Sequence, residues 1–187
     1  MKKLHFILYL FYACWLLGCI GCASLYRTQH NKDFHQSEDS VILSKWGETG
    51  KVLTEYKNFG RIYKLNPLTN SSKNNSIAGF LVTDTLQSVN SIQSSALLFA
   101  LQSPFFYAAD STSFKSVFAP FIAIEIQGKN KTKQYLLLSY NNRELALASD
   151  SMVIKRRKYD NHKFFLSLGL SLLPNDNYLK TNYELSK

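Results

Sequence analysis

Val117–Tyr159 reads VFAPFIAIEIQGKNKTKQYLLLSYNNRELALASDSMVIKRRKY, and its pattern decides the fold. Phe118-Ala119-Pro120 opens a strand in which Ile122, Ile124 and Ile126 share one face, because successive strand side chains alternate. Gly128-Lys129-Asn130-Lys131 is a turn by composition, and Gln134–Tyr140 (QYLLLSY) is the returning strand. Asn141-Asn142 turns the chain into Glu144–Ala148, and Asp150-Ser151 turns it again into Met152–Tyr159. Three or four strands joined by such short turns make an antiparallel meander.

Helices flank this core. Carboxyl-terminal to it, Lys163–Leu173 places Phe164, Phe165, Leu168 and Leu172 beside Leu166, Leu170 and Leu173 on neighbouring helical turns, and Pro174 ends the run. Asp176 can cap a short last helix carrying Tyr178, Leu179 and Tyr183. On the other side, Asp84, Ser88 or Ser91 can cap a helix through Val89, Ile92, Ala96, Leu97, Phe99, Ala100 and Leu101. Ser103-Pro104 stops it. Its strongly apolar second half implies burial against a sheet.

Further out, Ile77–Thr83 (IAGFLVT) reads as a buried strand and Asn66–Asn75 (NPLTNSSKNN) as a loop. Lys51–Lys64 reads as one or two strands divided near Asn58–Gly60. Residues 23–50 are polar and mixed in charge, which suits a tether with a first strand near 41–45 and a turn at Trp46-Gly47-Glu48-Thr49-Gly50. Clustered strands with separate helices predict an α+β domain over 51–187: one antiparallel β-sheet, with a meander at about 117–159 and two or three helices packed on one face. With 187 residues, 45% hydrophobic and 14% aromatic, the composition is globular. One domain of this size needs no disulfide or metal to fold.

The amino terminus carries an address. Lys2 and Lys3 precede an apolar run, Leu4–Leu17 (LHFILYLFYACWLL), which is short for a spanning helix and suits the core of an export signal. The run ends in Leu16-Leu17-Gly18-Cys19, followed by Ile20-Gly21-Cys22. Leu16-Leu17-Gly18-Cys19 resembles the lipobox of bacterial lipoproteins: an aliphatic residue, a tolerant position, a small residue, then cysteine. The resemblance implies a signal peptide over 1–18 and cleavage before Cys19. It also implies diacylation of the Cys19 thiol and usually a third acyl chain on the new amino group, so that 19–50 is lipid anchor and tether. Two or more chains anchor stably, at about 0.8 kcal/mol per buried CH₂. Cys22 is the alternative acylation site, and an uncleaved amino-terminal anchor is the competing reading. By analogy with enterobacterial sorting, Ile20 in place of Asp after Cys19 points to the outer rather than the inner membrane.

Cys14, Cys19 and Cys22 are the three cysteines of the chain. From Ala23 onward there is therefore no disulfide, no thiolate nucleophile and no cysteine-ligated metal. Other chemistry is also poorly supplied. His30 and His35 lie in the tether five residues apart and do not share a helix face. No paired-His or Asp-rich metal pattern occurs. Asp150-Ser151 and Asp160/His162 fall at opposite ends of one strand, about 30 Å apart at ~3.3 Å per residue, too far for a catalytic triad. The carboxylates show no glycosidase-type spacing and the glycines no phosphate-binding rhythm, so no catalytic residue, metal or cofactor is expected.

The formal net charge is +9, of which Lys2 and Lys3 belong to the signal. A basic surface favours anionic lipid headgroups, acidic glycans or acidic proteins, and an exported chain is not expected to meet nucleic acid. The densest feature is Lys155-Arg156-Arg157-Lys158. On a strand these residues divide two and two between faces, which marks an edge strand or a strand end. There they either guard the edge against pairing with other chains or contact an anionic partner. The stretch from Phe118-x-Pro120 through Tyr135–Tyr140 resembles a pattern in small uncharacterised bacterial lipoproteins, in which a buried helix precedes an F-x-P strand. That resemblance covers about 77–175; it implies the same fold and carries no activity.

The expectation is thus a membrane-tethered envelope lipoprotein that binds another envelope component without catalysis. An immunity or inhibitor-type lipoprotein, blocking a toxin or envelope enzyme, is the first alternative. A small envelope hydrolase is the second.

Overall fold

The alternation within Val117–Tyr159 folds as four consecutive antiparallel strands, and three earlier strands extend the same sheet. The strands are β1 (Phe59–Asn70), β2 (Ser76–Ile77), β3 (Phe80–Ser88), β4 (Ile122–Ile126), β5 (Gln134–Ser139), β6 (Glu144–Ser149) and β7 (Val153–Lys158). Their order across the seven-stranded sheet is β2-β3-β1-β4-β5-β6-β7, with every neighbouring pair antiparallel. The helices are α1 (39–46), α2 (Lys51–Glu55), α3 (Ser91–Gln102), α4 (His162–Leu172) and α5 (Asn177–Leu185). This computed structural model describes residues 39–186 apart from 56–57, 71–74, 110–113, 115–116 and 128–132. Cys19, Cys22 and the expected Gly128–Lys131 turn lie outside the described residues.

Strand register sorts the apolar residues into two cores. Ile122 lies across from Leu138, Ile124 from Leu136, Leu136 from Leu147 and Leu138 from Leu145. These face one way and are covered by Ile42 and Trp46 of α1, Leu97 and Leu101 of α3, Phe165 and Leu166 of α4, and Leu179 of α5. The α+β class and the helix-covered face therefore follow the sequence pattern.

On the opposite face a second core needs no helix, because the sheet curls over it. Ala123, Ala146 and Ala148 leave room there for Leu65, Phe80, Val82 and Phe118. The ring of Phe80 meets that of Phe118 edge to face at 6.1 Å, and the Ala78 amide donates to the Asp150 carbonyl at 2.8 Å. That bond ties the β2–β3 hairpin to the β6–β7 turn. Register shifts in the β1–β3 ladder supply the bend. Covered on both sides, β5 and β6 read as near-continuous apolar runs rather than alternating ones.

Several local expectations are corrected. The strand expected at 41–45 is helix α1, and Ser40–Lys187 form one compact unit, so folded structure begins before Lys51. Val41-Ile42-Leu43 is too short a run to separate strand from helix. The deciding contact is tertiary: Ile42 and Trp46, one helical turn apart, are both fully buried. Trp46 Nε1 donates to Tyr107 Oη at 2.8 Å, and Tyr107 Oη donates to the Leu101 carbonyl at 2.8 Å. Gly47–Gly50 is a 3-10 turn leading into α2, where a strand was expected in Lys51–Lys64.

Strand β1 also runs on to Asn70, into the expected loop. Ile77–Thr83 is a hairpin rather than one strand. Ala78 (φ 50°) and Gly79 (φ 85°) form its tip, both in the left-handed region that a two-residue turn requires. Helix α3 is capped by Asn90, since β3 continues through Ser88. The Asn90 side chain accepts from the Gln93 amide while Gln93 Oε1 accepts from the Asn90 amide. The Asp176 cap on α5 forms as expected, accepting from the Leu179 amide at 3.0 Å. Helix α4 approaches the sheet closely: a Cβ at Gly169 would lie 2.3 Å from Tyr140 Oη, so only glycine fits.

Candidate binding surface

Strand β7 is the sheet edge that its charges implied, and its side chains divide between faces as a strand must. Lys155 and Arg157 point to the helix side. Lys155 Nζ donates to the Trp46 carbonyl at 2.7 Å and Arg157 Nε donates to the Lys45 carbonyl. These carbonyls end α1, where unpaired oxygens and the helix dipole favour cations. Burial, and then repulsion from Arg157, lowers the Lys155 pKa below its ordinary value.

Arg156 faces the other way. Its Nε (2.7 Å) and Nη2 donate to Oε2 of Glu144, which is fully buried. Its guanidinium lies over the rings of Phe114 and Phe118, at 4.8 and 5.0 Å. Lys158, half-buried, lies across from Glu144, and its carbonyl accepts from the Ala108 amide at 3.0 Å. The run offered for an anionic partner is therefore largely engaged within the fold: Lys155 and Arg157 hold α1, and Arg156 neutralises Glu144.

Polar groups elsewhere are similarly committed. Lys64 Nζ pairs with Asp176 Oδ2 at 2.6 Å beside a cavity of about 300 Å³ that Asp84, Leu86 and Leu173 also line. Because Asp176 simultaneously caps α5, this pair is a strut between sheet and helix. Asp150 accepts from Tyr135 Oη at 2.8 Å. His162 stacks near Tyr159, its Nδ1 buried without a hydrogen bond; burial, and then Arg143, lowers its pKa from 6.5. Among the described residues, no three His, Cys, Asp or Glu side chains cluster as metal ligands would.

The surface of α3 and α4 has a different character. These helices run antiparallel. Gln93 Nε2 donates to the Ser171 carbonyl at 2.6 Å at one end, while Phe106 bridges Phe99 (5.6 Å) and Phe164 (4.6 Å) at the other. Between them lies a groove of about 390 Å³, lined by Ile92, Gln93, Ala96, Phe164, Leu168 and Ser171 among others, none of them charged. On its α3 side Ile92 is 81% exposed and Phe99 60%, and Phe105 just beyond the helix is 86% exposed.

The sequence matches no family model and no curated protein, and the fold matches no solved structure.

The sequence pattern places the apolar second half of α3 against a sheet and does not reveal this face. Leu97, Ala100 and Leu101 are buried as expected; Phe99 in that half is not, and Ile92 in the first half is exposed. A signal was present: from Thr85 to Ala109 the chain has no Asp, Glu, Lys or Arg, although 19% of all its residues are charged. A surface helix of a solvated protein ordinarily carries a charged stripe. Exposed aromatic side chains within an uncharged patch are the composition of an interface centre. No helix among the described residues is long and apolar enough to cross a membrane.

Proposed function

We propose that this chain is a lipid-anchored protein of the bacterial cell envelope, whose folded unit docks through its α3–α4 face on another protein chain there and binds it without catalysis. The observation that carries the binding reading is the exposure of Ile92, Phe99 and Phe105 within the charge-free run Thr85–Ala109 of a basic molecule. At ~200 Å² per aromatic side chain, the two phenylalanines alone leave roughly 300 Å² of ring in water. An apolar patch of about 300–600 Å² is commonly the largest on a protein surface and often the functional one.

The anchor reading is supported by Leu16-Leu17-Gly18-Cys19 after a basic start and a short apolar run. Acylation at Cys19, with Cys22 as alternative, would hold the unit at the membrane, and Ile20 favours the outer one. Metabolic labelling with a fatty acid tests this part: wild type takes up label and Cys19→Ala loses it. Label that persists moves the site to Cys22; an unlabelled wild type removes the anchor. For the face, Ile92→Asp should abolish capture of the partner from solubilised envelopes, and unchanged capture would refute docking there.

A further inference from the structure

We infer that the open edge of β3 takes an extended segment of another protein as an added strand, with one lysine or arginine of that segment entering the cavity beside Asp84. This surface is separate from the α3–α4 face and does not depend on it.

The sheet ends at β2, which has two residues and pairs with Phe80 and Leu81 of β3. Asn75 then covers Val82: its carbonyl accepts from the Val82 amide at 3.0 Å and its side-chain amide donates to the Val82 carbonyl at 3.1 Å. Beyond that point β3 runs on to Ser88 with β1 on one side and no strand among the described residues on the other. A strand edge in that state presents main-chain amides and carbonyls on which an extended chain can pair. From Thr83 to Ser88 every side chain except Leu86 is exposed. The far edge of the sheet differs, since the Ala108 amide already bonds the Lys158 carbonyl there. Register shifts in the β1–β3 ladder bend β3, so the added strand would be short.

The cavity of about 300 Å³ lies against this same stretch, lined by Asp84 and Leu86 of β3, Lys64 of β1 and residues 173–176. Its charges are unevenly matched. Lys64 stands directly across from Asp84 in the ladder, yet its ammonium goes to Asp176 at 2.6 Å. Asp84 therefore faces the cavity without the cation nearest to it.

A strand paired on β3 sets one side chain beside Asp84, with Cβ atoms about 5 Å apart. A lysine or arginine there puts its cation on the Asp84 carboxylate and lays its aliphatic stem on Leu86, Leu173 and Pro174. A carboxylate at that position would meet a like charge. A polybasic segment is disfavoured by the net charge of +9, so the fitting partner carries a single cation in a neutral or acidic stretch.

A surface-displayed library of random nonapeptides, selected on the full chain in detergent, tests this. Lysine or arginine should be enriched at one position by roughly fivefold over aspartate or glutamate, as a directly opposed charge pair implies. Asp84→Lys, a substitution at an exposed site, should reverse that preference. An enriched peptide should also slow hydrogen exchange of main-chain amides within Thr83–Ser88. No enriched peptide, a basic preference that survives Asp84→Lys, or binding that leaves exchange in Thr83–Ser88 unchanged overturns the inference. Binding that is lost in Ile92→Asp but kept in Asp84→Lys belongs to the α3–α4 face; it overturns strand addition at β3 and leaves docking on the helices standing.

Discussion

Replacing Arg156 with methionine removes the cation that faces the fully buried carboxylate of Glu144 while keeping an unbranched stem over Phe114 and Phe118. Deleting one partner of a buried ion pair costs about 3–5 kcal/mol, because the remaining charge has neither water nor a counterion. Arg156 is 23% exposed, so water would reach the vacated site and solvate Glu144 in part. That places the expected loss near the lower end, about 3 kcal/mol, a large share of the roughly 5–15 kcal/mol that holds a domain together. With a urea slope of about 2 kcal/mol/M, the midpoint should fall by roughly 1.5 M. Trp46, buried against Tyr107, provides the fluorescence signal and is the sole tryptophan of Ser40–Lys187. The double variant Glu144→Leu/Arg156→Met should recover most of the loss, since removing both charges leaves no unpaired buried charge at that site. A single variant within about 0.5 kcal/mol of wild type, or a double variant no more stable than the single one, would refute the reasoning.

Two further outcomes follow from the same fold. Trp46→Ala should cost about 3–5 kcal/mol by urea unfolding followed with circular dichroism, as a large aromatic leaves the core and Tyr107 Oη loses its donor; a residue in a solvated tether would cost under about 0.5 kcal/mol. His162 is the one histidine of Ser40–Lys187, and burial depresses its folded-state pKa below 6.5. In the window below 6.5 the unfolded chain binds more protons than the folded one, so stability rises with pH and is lost as pH falls. Urea midpoints at pH 7.5, 6 and 5 should therefore slope less in His162→Gln than in wild type, and equal slopes would contradict the assignment.

What could be read along the chain, and what could not, divides by the range of the contacts involved. The meander was legible because strand alternation and turn chemistry are local, and Ser103-Pro104 and Pro174 stop their helices wherever those helices pack. The edge position of β7 was legible too, since consecutive charges on a strand cannot both be buried. The β2–β3 hairpin was hidden because Ala78 takes a conformation that usually announces itself with Asn, Asp or Gly. Its neighbour Gly79 was the available clue. Helix α1 was hidden because the β-branched pair Val41-Ile42 favours a strand on its own, and only burial against the sheet made a helix there better.

The candidate surface shows the same division in reverse. A charge-free run from Thr85 to Ala109 is written in the sequence, yet whether Ile92 and Phe99 face core or solvent depends on which side of α3 meets the sheet. Residue types and spacings by themselves determined an antiparallel sheet flanked by helices, a basic edge strand and a thiol-free chain after Ala23. Only the tertiary structure decided that Lys155, Arg156 and Arg157 are engaged within the molecule and that an apolar helix face is left outside it. The physical reason is distance along the chain. Arg157 meets the carbonyl of Lys45 across 112 residues and Arg156 meets Glu144 across 12, pairings made by the packing of the sheet that no local periodicity encodes.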